Sequence, residues 1–420
     1  MNFVLRGCVC DCIDKGRIDA REQAYLVCVD GKSAGVFDTL PERFAGLPCT
    51  DCGSSLIIPG LTDLHVHASQ YAFRGLGGDL QLLDWLNANA FPEEARFADL
   101  GYADAAYDIF VQDLLRSATT RACIFATVHT PATLRLMEKL EKADLRALVG
   151  RVSMDRGCPP SLCESDAETA ARDEEEWIIR SSDFKNVRPI ITPRFVPACS
   201  DALMRRLGGL REKYSLPVQS HLSENLGEIE LVRSLAPDAE CYGAVYDRYG
   251  LFTGSTVMAH CVHSGTAETE LMRSRGVFAA HCPECNANIA SGVAPVRRFL
   301  DAGVRVGLGS DVAGGSTLCL FTAMAMAVRC SKLRAHFTGE ADAPLKTEEV
   351  FYMATRGGGE MFGKVGSFEA GVDFDAVVID DAALRSPRPL TVRERLERLI
   401  YLADGARIKA KYVAGAKVFG

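Results

Sequence analysis

Two histidines one residue apart, His65 and His67, close the apolar run "LIIPGLTDLHV". In a strand, residues i and i+2 face the same side, so the two imidazoles point together. Two imidazoles aimed at one point are good ligands for Zn²⁺ or Fe²⁺. Taken alone, the pair is equally compatible with an ordinary strand end carrying two exposed rings. The remaining histidines decide between the two. Of eight in the chain, His221 closes "PVQSH", His260 closes "STVMAH" and His281 closes "GVFAAH", while Asp311 closes "VRVGLGSD". A random scatter would not track strand ends in this way. His129 and His336 fall outside the pattern and read as structural or surface residues, and His263, just past its strand, as a loop residue or a support behind the ligands and not as a ligand itself. Glu224, in "HLSE", lies just beyond the end of its strand. There a carboxylate reaches a metal-bound water without being a ligand, as a general acid or base requires. Asp311 has a competing reading as a helix N-cap.

These side chains need strands that deliver them to one end of a scaffold. From about residue 58, short apolar runs such as "TTRACIFATV", "LRALVGRVSM" and "VRPIITPRFV" alternate with amphipathic stretches such as "CSDALMRRLGGLREKYS". Eight β-then-α units over such a length predict an α/β fold, a (β/α)8 barrel of TIM type, whose active sites sit at the C-terminal strand ends. Both chain ends read instead as short strands broken by Gly, Asp and Pro. The expected organisation is a catalytic barrel over residues 59–366, flanked by a small composite β-sandwich domain from residues 1–58 and 367–420.

Composition narrows the partners. The 420 residues carry a net charge of −8 with no basic block, which argues against nucleic-acid binding. No stretch reaches membrane-spanning length and the N-terminal apolar run is too short for a signal peptide, so a cytoplasmic protein is expected. Without export, the sixteen cysteines are not expected to form a disulfide framework. Cys10, Cys12, Cys49 and Cys52 could hold a structural zinc if their two segments met; the alternative, which we favour, is reduced thiols packing as small hydrophobes. A binuclear site in such a barrel usually needs a bridging lysine on the fourth strand, and "NVRPIITPRFV" offers Arg194 and no lysine. One metal is therefore expected. The zinc-deaminase pattern of H-x-E followed by P-C-x-x-C is absent, since "HCPEC" has its proline after the first cysteine.

The blocks "PGLTDLHVHASQYAFRGLGGDLQLLDWLNANAFPEE", "ITPRFV", "QSHLSEN", "MAHCVH", "AAHCPECN", "GLGSDVAGG" and "SFEAGVDFDAVVID", in this order and spacing, resemble the guanine deaminases of the amidohydrolase superfamily. The resemblance implies His65, His67, His221 and Asp311 as ligands of one Zn²⁺ per subunit, with Fe²⁺ accepted by the same donor set. It implies Glu224 as proton shuttle, His260 as a substrate-facing imidazole and Asp311 as a catalytic carboxylate. Gln70, Arg194 and Phe195 fall on positions that hold the purine, together with Ala68, Ser69, His67, His221 and Glu224. A homodimer is also implied. One departure is visible: Cys285 stands where family members often have Ser.

Guanine hydrolysis suits these residue types. A bound Zn²⁺ lowers the pKa of its water to about 7 and supplies the nucleophile. Asp311 can take the released proton, and Glu224 can protonate ring N3 during attack at C2 and then the departing amine, giving xanthine and ammonia. Arg194 can donate to O6, Gln70 can pair with O6 or N1–H, and Phe195 can cover the ring face. Buried polar groups left unpaired cost about 1–3 kcal/mol each, so adenine should be rejected. The stretch from Ala68 to about Phe97, with Gly75, Gly77, Gly78 and an apolar underside of Trp85, Leu86 and Phe91, predicts a lid. Rival readings are a related amidohydrolase acting on 8-oxoguanine, cytosine or a triazine, and an inactive barrel used as a scaffold.

Overall fold

The computed structural model describes residues 1–338 and 343–420. The chain begins with β1 (Phe3–Asp14), β2 (Arg17–Val29), β3 (Lys32–Phe37) and β4 (Cys49–Pro59). A run of parallel strands follows: β5 (Leu61–His67), β6 (Thr119–Phe125), β7 (Arg146–Gly150), β8 (Val152–Ser153), β9 (Val187–Pro189), β10 (Thr192–Pro193), β11 (Val218–Leu222), β12 (Thr256–His260), β13 (Phe278–His281) and β14 (Arg305–Leu308). The chain ends in β15 (Ala376–Asp380), β16 (Arg407–Val413) and β17 (Ala416–Phe419).

β5, β6, β7 and β9 pair in that order, as do β11 to β14, and every pairing is parallel. A bridge from Ile191 to Val218 joins the two sets on one side. On the other side, Asp311 N–H donates to His65 C=O at 2.9 Å and His67 N–H to Val312 C=O at 3.2 Å. The strands therefore connect round from β5 to β14 and back. Helices such as Leu100–Arg116, Thr130–Lys142 and Asp201–Tyr214 make the crossovers that parallel pairing requires. All seven residues of β5 and of β6 are buried, as expected for strands covered on both faces. Leu64, Cys123, Leu148, Ile190, Val257, Phe278 and Ala280 come from both strand sets yet pack into one cluster, so the strands wrap around them.

The two chain ends form a single seven-stranded sheet of order β17-β16-β15-β4-β1-β2-β3. This corrects the expected sandwich of two sheets. Phe3 of β1 and Tyr412 of β16 have ring centroids 5.2 Å apart. Two strands separate theirs, so in a flat sheet the backbones would lie about 14 Å apart. The sheet curls over its own apolar core of Leu5, Leu26, Ile57, Phe374 and Val378, and so reaches two-layer packing with one sheet.

Buried charge ties this sheet to the parallel strands. Arg121 on β6 donates to Asp375 through Nε at 2.7 Å and to Asp373 through Nη2 at 3.0 Å. Lys411 on β16 donates to the carbonyls of Leu114 and Thr119, both at 2.8 Å.

The four cysteines weighed as a zinc site do not meet. Cys49 lies opposite Val4 and Cys10 opposite Ala20, and six residues of strand separate Val4 from Cys10, about 20 Å. All sixteen cysteines are free thiols.

Candidate functional site

Several strands end in backbone that side chains rarely adopt. Ser223, His260 and Asp311, each just at or past the end of a parallel strand, have φ of 47°, 72° and 47°. Each left-handed residue costs about 1–2 kcal/mol, and the surrounding hydrogen bonds hold it. Asp63 accepts from the backbone N–H groups of His65 (3.1 Å) and Ser310 (3.0 Å) and from the Ser310 hydroxyl at 2.5 Å, which fixes the ends of β5 and β14 side by side. Gly309 is required there: a Cβ would lie 2.9 Å from His65 Cβ and 2.8 Å from Cys282 Sγ. Asp311 caps no helix, since the next helix begins at Leu320; its N-cap reading falls.

The result is a tight donor cluster. His65, His67 and His221 bring ring nitrogens within 4.8 Å of one another, as do the donor atoms of His65, His260 and Asp311. His65 Nε2 lies 3.2 Å and His67 Nε2 3.6 Å from Asp311 Oδ1, and the Nε2 atoms of His67 and His221 are 3.3 Å apart. Ligand atoms about 2.0–2.1 Å from a tetrahedral zinc are themselves about 3.3 Å apart, so this spacing suits one metal. The electrostatics agree. Burial, then neighbouring His65, keep His67 well below the usual histidine range, and burial with the adjacent imidazoles does the same for His221. His221 Nδ1–H donates to the Arg194 carbonyl at 2.6 Å, which leaves the Nε2 lone pair facing inward. Among the described residues, His65 Nε2 has no well-aligned hydrogen-bond partner. Burial works against ionisation of Asp311, but His65, His260 and His67 hold its carboxyl below the usual carboxylate range. Inward lone pairs beside a buried carboxylate are satisfied by a cation.

Glu224 stands on the open side of this cluster. Its carboxylate Oε2 is 3.5 Å from His260 Nε2, and Oδ2 of Asp311 is 3.6 Å from the same nitrogen. Burial, and then the carboxylates of Glu228 and Asp311, push Glu224 well above the usual range, so it holds a proton that it can give. Glu228 accepts the Glu224 backbone N–H at 2.9 Å while completing the capping box of helix Leu226–Leu235, which sets the loop. Burial lowers His260 to about 4; its Nδ1 meets Asn286 Oδ1 at 2.9 Å, so the neutral ring turns Nε2 to the cavity.

The cavity, with about 420 Å³ of space inside and above it, is bordered by His67, Gln70, Arg194, Phe195, Glu224 and Asp311. Leu82, Trp85 and Leu86 of the segment after β5 line it, as do Ile289 and Cys285, while Phe91 does not. Ala68 and Ser69 do not; the Ser69 hydroxyl is spent on the Ala126 carbonyl at 2.6 Å. His281 is also absent, and borders a separate small cavity with Val293 and Leu345. His336 is exposed, and exposed His263 contacts the Ser291 carbonyl at 2.9 Å, as a loop residue should.

Sequence reasoning missed Glu94, a buried carboxylate that binds both Arg194 and Gln70. In "FPEE" it reads as a helix-start acid, and nothing nearby points to a partner 100 residues away. Cys285, read there only as a departure from the usual Ser, has its thiol beside Glu224 and His260.

Comparison with known proteins adds an independent line. The sequence profile of the Amidohydrolase family matches residues 56–418. The chain is 39% identical to the guanine deaminase of Dictyostelium discoideum over 378 residues, 88% of this chain and 83% of that protein. It is 39% identical to the guanine deaminase of Rattus norvegicus over 375 residues, 86% and 82% of the two chains. The crystal structure of guanine deaminase from C. acetobutylicum with bound guanine in the active site superposes with a TM-score of 0.97, at 46% identity and 100% coverage of both chains.

Proposed function

The chain belongs to the amidohydrolase family, and from that premise we propose that it is a guanine deaminase, hydrolysing guanine to xanthine and ammonia. The observation that carries this reading is one juxtaposition. A three-histidine, one-aspartate donor cluster opens onto a cavity that Arg194 and Gln70 also line. Arg194 donates to O6 and the Gln70 amide oxygen accepts from N1–H, with the reacting C2 toward Glu224 and Asp311. The superposition on a guanine-bound guanine deaminase supports guanine as the substrate.

The architecture fits a (β/α)8 barrel over residues 59–366, with residues 1–58 and 367–420 as the flanking β domain. His65, His67, His221 and Asp311 would hold one divalent metal, for which we favour Zn²⁺ over Fe²⁺. When bound, the metal supplies a water acidified to near neutrality. Asp311, ionised, accepts a proton from the attacking water. Glu224, protonated, donates to N3 as C2 becomes tetrahedral, then relays a proton to the exocyclic amine so that ammonia leaves. One water is consumed, and its oxygen becomes O2 of xanthine. His260, neutral and with its one N–H directed to Asn286 Oδ1, accepts through Nε2 beside the same carbon. Phe195, Trp85 and Leu86 exclude bulk water, and the segment 68–97 serves as the lid. A cytoplasmic homodimer belongs to the same reading; sedimentation analysis tests the oligomer.

The direct experiment measures ammonia and xanthine from guanine, with adenine, cytosine, 8-oxoguanine and a triazine as competitors. Guanine should be turned over best. Glu224→Gln should fall by about 10²–10⁴-fold without loss of fold. No xanthine from the metal-loaded wild type, or full activity in Glu224→Gln, would sink the reading or the shuttle respectively.

A further inference from the structure

Glu94 touches no part of the cavity, yet it organises the edge that does. It is 1% exposed and lies on the short helix Phe91–Ala95 at the end of the covering segment. Its Oε2 accepts from Arg194 Nη1 at 2.5 Å and its Oε1 from Arg194 Nη2 at 3.1 Å, a bidentate pair. The same Oε1 accepts from Gln70 Nε2 at 2.8 Å. Phe91, one helical turn before Glu94, lies with its ring centroid 4.9 Å from Arg194 Cζ. The guanidinium is thus held by a ring and a carboxylate from one helix, and the Gln70 amide is fixed with its nitrogen toward Glu94.

Two consequences follow from elementary chemistry. Glu94 takes two of the five guanidinium N–H groups and leaves the others free for a ligand. It also cancels the arginine charge. A buried arginine without a counter-ion is an anion receptor, whereas the paired arginine is a neutral donor array.

We propose that Glu94 is the positioning residue that sets specificity at this edge: it aims Gln70 and Arg194 and neutralises the arginine, so that the cavity takes a neutral 6-oxopurine and turns away an anionic ring. The inference rests on the guanine-deaminase reading for its substrate, but its discrimination between ligand charges is readable by binding alone.

The test compares two purines at one neutral pH. Hypoxanthine is neutral and keeps O6 and N1–H; purine-6-carboxylate is an anion carrying its charge where O6 would sit. In metal-loaded wild type, calorimetric titration should show hypoxanthine binding at least tenfold tighter than purine-6-carboxylate. Glu94→Gln should raise KM for guanine about thirtyfold with kcat changed less than threefold. It should also weaken hypoxanthine and tighten purine-6-carboxylate at least tenfold. Glu94→Asp keeps the charge, so it should preserve the ligand order while raising KM several-fold. A role in folding alone would lower the melting temperature and the active fraction but leave KM and ligand order untouched. Wild type that prefers the anion overturns the proposal even if neither variant folds. So does Glu94→Gln with KM within twofold and unchanged ligand order. Wild type that makes no xanthine yet discriminates the two purines overturns the functional reading and leaves the Glu94 assignment standing.

Discussion

Two regions of the molecule bury charge, and they treat it differently. At the junction of the curled sheet with the parallel strands, Arg121 meets Asp375 and Asp373, Lys411 is bonded to two carbonyls, and Asp375 Oδ1 accepts the Ala414 N–H at 2.8 Å. Each of these groups finds its partners within the chain. At the ends of β5, β11 and β14, by contrast, His65 Nε2 has no well-aligned hydrogen-bond partner among the described residues, and two imidazole nitrogens face each other at 3.3 Å. Polar burial satisfied internally holds a fold together; polar burial left open is held for a ligand.

The sharpest way to break this contrast is to remove one group from each region. Asp311→Asn should empty the cluster of metal and reduce xanthine formation by about 10⁴-fold, since both the nucleophile and its proton acceptor are lost. Its melting temperature without metal should fall only slightly below that of metal-free wild type, because the imidazoles that favour the ionised carboxyl lose a partner while the burial penalty on it goes too. Metal content by atomic spectroscopy and a melting curve read both effects. Retained metal with full activity would remove Asp311 from the site. Asp375→Ala should do the reverse. It leaves buried Arg121 with Asp373 alone and the Ala414 N–H without its acceptor, a loss of up to about 3–5 kcal/mol, and should lower the melting temperature by several degrees while the folded fraction keeps wild-type kcat/KM. A variant as stable as wild type would show that the junction contributes little.

The same contrast marks what could be read from residue order. His65, His67, His221, His260 and Asp311 were legible because each closes an apolar run, and a strand end is a local property that parallel strands convert into a shared location. Glu224 was legible by its offset from His221. Glu94 was not: its meaning lies in Arg194 and Gln70, which reach it only through tertiary packing. Ala68 and Ser69 failed for a related reason. Adjacency to His67 in the chain says nothing of which way a 3₁₀ turn aims them, and Ser69 turns to Ala126. The single curled sheet was hidden too, because strand patterning tells which residues are buried but not which strands pair.

A smaller effect sharpens the junction side. Burial pulls Lys411 down from 10.5 to about 7, opposed by Asp375. In the unfolded chain this lysine keeps its proton up to about 10.5. Between those values the unfolded state therefore binds more protons than the folded state, and stability from this group rises with pH. Below about pH 7 both states are protonated and the contribution is flat at its least favourable level. The melting temperature of wild type minus that of Lys411→Met should thus rise between about pH 6.5 and 9.5. Parallel curves for the two proteins would mean that Lys411 stays charged in the fold.

The smallest expected effect lies inside the catalytic region and tests how far its openness extends. Cys285, on the short helix Pro283–Asn288, groups with Glu224 and His260, so proximity alone would enrol it in the chemistry. Burial, and then the carboxylates of Asp311 and Glu224, push its thiol well above the usual cysteine range. A protonated thiol is a poor nucleophile and a poor metal ligand, and behaves as a small apolar wall. Cys285→Ser keeps the size and adds only a stronger hydrogen bond, so kcat/KM for guanine should stay within about threefold of wild type. Cys285→Leu enlarges the wall toward the substrate and should raise KM while leaving metal content unchanged. If Cys285→Ser instead lost metal or fell a hundredfold in kcat, the thiol would belong to the converging donors.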